Sequence, residues 1–220
     1  MRQAQFGEVL LLSDRPPPKP VEGITWREIG QLNSRADYSR FMLHELCDHI
    51  ATTHALCIQW DGYVLDGGAW RTDFLDYDYI GAVWPQFSDG HNVGNGGFSL
   101  RSRRLLRACK SLSFDGSIAE DIFICRVRRD DLESQGMRFA PEAVARRFAF
   151  ERTRPSGSEF GFHGSFNLVG FLAANEAVRL FRSLEAPMLA RSERLELFRW
   201  ALAHGRGGLA LTMLRRLIKE

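Results

Sequence analysis

The sequence lacks the features of a membrane, secreted or nucleic-acid-binding protein. Near its start the longest apolar run is VLLL at residues 9–12, far shorter than a signal-peptide core or a membrane span. The charges nearly cancel, since 29 basic residues stand against 27 acidic ones and leave a net charge of +2. Such a balance creates no strong field for a polyanion. We therefore expect a cytoplasmic protein that does not bind nucleic acid.

Cysteine is scarce, and no C-x-x-C pair occurs. The four cysteines are Cys47, Cys57, Cys109 and Cys125, and each has apolar neighbours in the sequence. This pattern predicts small buried side chains in a reducing compartment, rather than zinc ligands or disulfides.

The length of 220 residues and a hydrophobic fraction of 45% are sufficient for one main domain with a full core and a small appendage. Short apolar runs and helical patterns alternate over residues 1–175, which we take as one α/β domain. Residues 176–220 show helical periodicity and an excess of arginine, so we predict a basic helical extension there. Its helices are predicted at 176–184, 192–203 and 208–219.

The stretch VGNGGFSLRS at residues 93–102 is the centre of the main domain. Three glycines around one asparagine allow positive φ angles and a close approach of a ligand to the main chain. We predict that Asn95, Gly96 and Gly97 line the junction between a donor and an acceptor. A tight turn between packed elements is the alternative.

Polar residues follow two of the predicted strands. QWDG at residues 59–62 ends the apolar strand 54–60, and ligands in α/β sheets gather outside the carboxyl ends of strands. Asp61 is therefore a candidate ligand residue, and the amide of Gln59 is suited to orient a water or a ribose. Asp14 follows the strand predicted at 6–12 and is a candidate for bonding a ribose or a base; solvation of an exposed acid is the alternative.

Two aromatic residues are candidates for stacking on a ligand. Tyr38 lies at the start of the helix that a capping box at residues 34–37 predicts, where its ring is a candidate partner for a base. Trp84 follows DYIGA at residues 78–82 and is a candidate partner for the apolar face of a sugar. Their alternatives are a surface position for Tyr38 and core packing for Trp84.

Two further motifs carry titratable groups. Glu120 and Asp121 follow the glycine stretch, and FGFHG at residues 160–164 places His163 between two glycines. A capping box at residues 117–120 explains Glu120 structurally but leaves Asp121 free. Hydrogen bonds to loop carbonyls are the structural alternative for His163.

Together QWDG, DYIGA, VGNGGFSLRS and the following Glu-Asp pair resemble a bacterial family catalogued as a domain of unknown function, which looks like a divergent branch of the GT-A glycosyltransferases. The resemblance covers roughly residues 5 to 168. It implies a three-layer α/β/α domain with a mostly parallel sheet and, in this chain, a C-terminal helical extension. It also implies transfer of a sugar from a nucleotide-sugar donor to a glycan or lipid-linked acceptor.

The resemblance implies that Asp61 and His163 share a site for a divalent metal and the donor diphosphate. GT-A enzymes commonly hold Mn²⁺ or Mg²⁺ with an Asp-x-Asp motif, and hard oxygen ligands suit both ions. Here Gln59 replaces the first acid, which leaves the need for metal open. A literal Asp-x-Asp occurs at Asp76 and Asp78; we rank it second because it precedes a strand, and bonds to loop backbone are its alternative.

The resemblance also implies that Asp121 is the general base of an inverting transfer, with Glu120 bonding an acceptor hydroxyl or capping the helix. A base of this kind typically contributes on the order of 10²–10⁴-fold in rate. The helix dipole, which favours acids at a helix N-terminus, is the structural alternative.

Two questions stay open from the sequence. Only two short strands precede QWDG, so a non-catalytic nucleotide- or glycan-binding module on a degenerate GT-A fold is the alternative function. The apolar side of the C-terminal helices is expected to cover the protein's own core or a homodimer partner, or else to contact an anionic membrane surface peripherally.

Overall fold

A computed structural model describes residues 4–185 and 188–218. Within these ranges the strands are β1 (Leu10–Ser13), β2 (Thr25–Glu28), β3 (His54–Ile58), β4 (Tyr63–Val64), β5 (Tyr79–Ile80), β6 (Phe98–Ser102), β7 (Ala149–Phe150) and β8 (Gly161–Phe162). The α-helices are α1 (Arg35–Arg40), α2 (Leu46–His49), α3 (Arg103–Cys109), α4 (Glu120–Ile122), α5 (Arg129–Ser134), α6 (Glu142–Phe148), α7 (Ser165–Leu168), α8 (Ala174–Ser183), α9 (Arg191–Ala203) and α10 (Gly207–Ile218). Turns of π-helix continue α1 and α4 at Phe41–Glu45 and Phe123–Val127, and 3-10 turns lie at Gly67–Ala69 and Thr72–Asp76.

The strands form three small sheets. β1 and β2 are a parallel pair, β3-β6-β5 is an antiparallel sheet, and β4-β8-β7 is mixed. The protein is therefore α/β in the broad sense, but the predicted GT-A-like three-layer domain with a mostly parallel, Rossmann-like sheet is wrong.

The central sheet is antiparallel. β6 pairs with β3 and with β5 in the antiparallel sense, in the registers His54↔Ser102 and Tyr79↔Arg101. Between β3 and β6 the chain contains loops, the short strands β4 and β5, and two 3-10 turns, and antiparallel strands need no crossover helix between them.

The helix start predicted at the 34–37 capping box is confirmed, and Ser102 caps a further helix. Ser34 Oγ accepts the N–H of Asp37 at 3.1 Å, and Ser102 Oγ accepts the N–H of Leu105 at 3.0 Å, so each serine caps its helix. The capping box predicted at residues 117–120 is wrong. Ala119 occupies the cap position of α4, while the Ser117 hydroxyl donates to Asp115 at 2.7 Å.

An aromatic core lies between the central sheet and α6. The ring of Phe98 from β6 lies 5.4 Å from that of Phe148, and Phe148 in turn lies 6.0 Å from Phe160. All three side chains are fully buried, so this face of β6 is fixed to the segment that leads into β8. Burial is confirmed for three of the four cysteines, Cys47, Cys109 and Cys125, whereas Cys57 is half-buried.

The C-terminal helices form a further core with the main part of the chain. Phe181 of α8 is fully buried and packs edge-on against Trp60, with ring centroids 6.2 Å apart. The three predicted helices are confirmed as α8, α9 and α10, which begin one or two residues earlier than predicted. Residues 186, 187, 219 and 220 of the extension lie outside the described ranges. No helix in the described part of the chain is both long enough and apolar enough to cross a membrane.

Candidate active site around the glycine loop

The glycine loop, residues 93–97, connects the central sheet to the candidate site. Asn95 has a left-handed φ of 70°, and its Oδ1 accepts the N–H of Gly97 at 3.0 Å. The N–H of Gln59, directly after β3, donates to the Gly97 carbonyl at 2.8 Å. Loop and strand end are thus held together, and the predicted residues Gln59, Asn95 and Gly97 are neighbours.

The Glu-Asp pair at the start of α4 lies against one side of the loop. Asp121 Oδ2 accepts the N–H of Gly96 at 2.9 Å, while Glu120 Oε1 accepts from Arg101 Nη2 at 2.8 Å. Arg101 and Glu120 are both buried. A side chain on Gly96 would overlap the Glu120 carboxylate, so a glycine is required there by the buried ion pair itself.

The buried pair changes the proton affinities around it. Burial, and then the charge of Asp121, raise the pKa of Glu120, against the opposing effect of Arg101. Burial also raises the pKa of the nearby Tyr38 hydroxyl well above its usual range; Glu120 acts in the same direction, while Arg101 and a side-chain hydrogen bond with Gln59 act against it. Tyr38 and Gln59 therefore belong to the same cluster.

His163 lies beside Gly97 of the same loop. Its Nε2 is 3.1 Å from Asp61 Oδ1, and its Nδ1 is 3.3 Å from Glu151 Oε1. Any side chain on Gly97 would overlap the imidazole. Burial lowers the pKa of His163, but the two carboxylates outweigh burial and raise it to about 10. His163 is therefore an imidazolium at neutral pH.

The Asp61–His163 pair does not suit a metal ion as it stands. A metal ligand must be a neutral imidazole with a free lone pair, whereas His163 is protonated and faces a carboxylate from each ring nitrogen. Among the described residues, the group of at least three ligand atoms close enough to share an ion is His91, Asp130 and Glu133. A metal ion would have to displace the proton that the two carboxylates favour on this ring, and the metal role of Asp61 and His163 stays a prediction.

The two remaining predicted residues lie elsewhere. Trp84 is buried with its ring against Gly94 and edge-on to Phe87, with centroids 5.7 Å apart, which is the core position that was its alternative. Asp14 is exposed beside Arg15, in a groove of about 340 Å³ that contains no residue of the glycine loop. Their ligand roles are untested.

Two charged residues of this cluster, Arg101 and Glu151, were not predicted from the sequence. Arg101 stands within an apolar strand, where a charged residue needs a partner, and this was an available signal. Glu151 directly follows β7, as Asp61 closely follows β3. Neither signal names the partner, because the pairs Arg101–Glu120 and Glu151–His163 join segments that are distant in sequence.

Comparison with protein families gives one match. The family described as "Protein of unknown function (DUF5672)" matches residues 25–163, more than half of the chain. The chain belongs to this family. All residues of the glycine-loop cluster fall within the matched range, and so does the segment carrying QWDG, DYIGA and the Glu-Asp pair. The comparisons found no match among curated proteins and none among solved structures. Membership of the DUF5672 family is thus established, and it assigns no activity.

Proposed function

We propose that this DUF5672 protein is a glycosyltransferase that moves a sugar from a nucleotide-sugar donor to a glycan or other acceptor with inversion. The observation that supports the proposal is the position of two acidic groups beside adjacent residues of the glycine loop. Asp121 bonds Gly96, and the Asp61–His163 pair lies against Gly97. A transfer reaction needs such a pair of groups, one for the acceptor and one for the donor.

In the proposed reaction the acceptor hydroxyl attacks the anomeric carbon from the face opposite the diphosphate. The new carbon–oxygen bond forms as the bond to the diphosphate breaks, and the diphosphate leaves with the electron pair. Asp121 takes the hydroxyl proton. Its carboxylate is half-buried and is oriented by the Gly96 N–H, which holds it at the loop without taking all of its acceptor capacity.

The charge of the site bears on the proposed use of Mn²⁺ or Mg²⁺. Two cations, Arg101 and His163, stand among four carboxylates, those of Asp61, Glu120, Asp121 and Glu151. A diphosphate would be repelled by the excess negative charge, so we propose that a divalent cation accompanies the donor. The cation is proposed to arrive with the donor and not to be held by His163, because both ring nitrogens of His163 face carboxylates.

The donor proposal is tested by calorimetric titration with several nucleoside diphosphates, with and without Mn²⁺. We expect binding that requires the cation and that Asp61→Asn weakens by about tenfold. Asp48→Asn removes an exposed carboxylate outside the glycine-loop cluster and serves as the matched control. Metal-independent binding, or equal affinity of Asp61→Asn and wild type, would argue against the donor role of Asp61.

The catalytic proposal is tested with Asp121→Asn once a donor is identified. Donor affinity and the thermal transition should stay unchanged, while transfer falls by about a hundredfold or more. Near-normal turnover, or a product that retains the anomeric configuration, would remove Asp121 from the role of base.

The rival proposal is a non-catalytic nucleotide- or glycan-binding module. It is favoured by the internal partners of the acids: Asp121 also accepts the N–H of Ile122 at 2.8 Å, and Asp61 and Glu151 are both engaged by His163. Binding of nucleotide or glycan without any turnover across a screen of nucleotide sugars would support this proposal against the enzyme.

We also propose that the C-terminal helices work at a surface, with the protein in the cytoplasm at the inner face of the membrane or as a homodimer. On α10 the side chains of Leu211, Leu214 and Ile218 are exposed at helical spacing, and the helix carries arginine but no acid. An anionic lipid surface suits such a combination of apolar and basic groups.

A further inference from the structure

A groove lies at the opposite end of the central sheet from the glycine loop. β3 runs from His54 at the groove towards Gln59 at the loop, and β6 runs back from the loop to Ser102. At the usual rise of a strand, five residues separate the two places by about 15 Å. The groove has a volume of about 480 Å³ and is independent of the candidate active site.

Three arginines line this groove, and two of them have no acidic partner in the described chain. Arg104 is paired with Asp78, but Arg103 and Arg138 form no ion pair within residues 4–185 and 188–218. Arg103 is half-buried, and its Nε is enclosed without a hydrogen-bond partner. The Arg138 guanidinium lies over the ring of Tyr77, 5.2 Å from its centroid, and Arg138 is exposed. A guanidinium without an acidic partner keeps its charge and its N–H donors available to an anionic ligand.

The acids of the groove do not cancel this charge. Asp78 is fully engaged, since it accepts from the Ser102 hydroxyl, from Arg104 and from the Arg138 N–H at 2.8 Å. Asp76 is exposed at the rim. With both acids counted against three arginines, the lining keeps one positive charge, and both arginines without an acidic partner belong to this lining.

We propose that this groove binds a phosphoryl group, either as free phosphate or as part of a phosphate ester, between Arg103 and Arg138. Guanidinium groups bind phosphate oxygens through paired N–H donors, and two unpaired arginines match a doubly charged anion better than a single carboxylate. The Thr53 hydroxyl at the groove wall offers a further hydrogen-bonding group. This binding site is independent of the proposed glycosyltransferase function.

The test is an NMR titration of the whole chain with inorganic phosphate at constant ionic strength, which follows the amide signals of residues 52–54 and 102–104. We expect saturable shifts, and a dissociation constant that Arg103→Gln and Arg138→Gln each raise by about tenfold. Arg107→Gln is the matched control, because it removes an exposed arginine of the same helix that does not line the groove. Asp76→Asn should tighten binding, since it removes the repelling charge.

Parallel titrations with glycerol phosphate and with acetate identify the ligand chemistry. Tighter binding of the ester than of free phosphate indicates a phosphorylated molecule as the natural ligand, and the reverse order indicates phosphate itself. Acetate that binds as tightly as phosphate would overturn the proposal. Equal weakening by Arg107→Gln and Arg103→Gln, or shifts centred on residues 95–97, would overturn it as well, the latter by placing the anion at the glycine loop.

Discussion

At the scale of single residues, the carboxylates of Asp61 and Glu151 favour the protonated form of His163. The ring is largely enclosed between two carboxylates, and its pKa rises from 6.5 to about 10. A group whose folded pKa is raised stabilises the fold fully below its unfolded pKa and loses that contribution as the pH rises through the folded one. The stabilisation by His163 is thus complete below about pH 6.5, declines above it and is lost beyond about pH 10.

His163→Gln should therefore destabilise the protein by about 3 kcal/mol near pH 6 and by much less near pH 10, because it leaves Asp61 buried without its counter-charge. Urea denaturation at several pH values measures the difference from wild type. Asp61→Asn is the companion variant, in which the pH dependence should shrink. A difference that stays constant from about pH 6 to pH 10 would show that the imidazole carries no charge in the folded protein.

Gly97→Ala should be destabilising by about 1–3 kcal/mol, because the added methyl overlaps the His163 ring and forces it away from Asp61. Gly30→Ala is the control, since nothing lies within 4 Å of the added atom there. Urea denaturation of the two variants gives the comparison. Equal midpoints for both would mean that the loop yields without disturbing the pair, and the glycine would then be available to a ligand, as the sequence suggested.

At the scale of elements, Asp78 joins three separate parts of the fold. It precedes β5, accepts from the capping residue Ser102 and from Arg104 of α3, and accepts the backbone N–H of Arg138. Burial raises its pKa, but the hydrogen bonds from Arg104, Ser102 and Arg138 outweigh burial and hold the pKa below its ordinary 3.8. The second-ranked metal motif therefore contains a structural carboxylate.

Asp78→Asn should lower the free energy of unfolding at neutral pH by about 2–4 kcal/mol, since an amide cannot accept all of these bonds. The difference from wild type should shrink as the pH falls below about 4, because a group with a depressed pKa loses its contribution on protonation. Asp76→Asn, two residues away and exposed, is the matched control in urea denaturation near pH 7 and near pH 3. If Asp76→Asn lowers the free energy of unfolding as much as Asp78→Asn does, the hydrogen bonds to Asp78 do not join these parts of the fold.

The starts of strands and helices are determined by local sequence, whereas the pairing of strands is not. An apolar run predicted where β3 begins and a capping box predicted where α1 begins, since those signals are local. The direction in which β6 pairs is not local, because its partners β3 and β5 come from other segments of the chain. The prediction of a mostly parallel sheet was therefore wrong, although strands such as β3 were predicted correctly.

The same limit applies to the site. Asp61 and His163 were predicted to share a site, and they lie together beside Gly97. Arg101 and Glu151 were missed, because their roles consist entirely of partners from distant segments. The reason for the glycines also differs: at Gly97 the space is taken by the protein's own imidazole.

At the scale of the whole molecule, the three C-terminal helices are attached to the main part of the chain by a core that contains Trp60 and Phe181. Arg216 of α10 adds to this attachment by donating to the carbonyls of Phe181 and Leu184 at 3.0 and 2.8 Å. The buried side of the helices is thus accounted for within the chain, and the outer side of α10 is what a membrane or a second copy has to use.

The double variant Leu214→Glu with Ile218→Glu tests that outer side. Both side chains are exposed, 38% and 72%, so the fold should keep its thermal transition while an apolar contact surface becomes acidic. We expect wild type to float with vesicles that contain phosphatidylserine, not with pure phosphatidylcholine, and the double variant to stay in solution with both. Arg215→Gln, between the two positions, should weaken flotation less and make it more sensitive to salt, because it removes charge and leaves the apolar contact intact. A wild-type dimer in sedimentation that the double variant converts to a monomer, with no flotation by either protein, would assign this surface to a second copy and exclude the membrane.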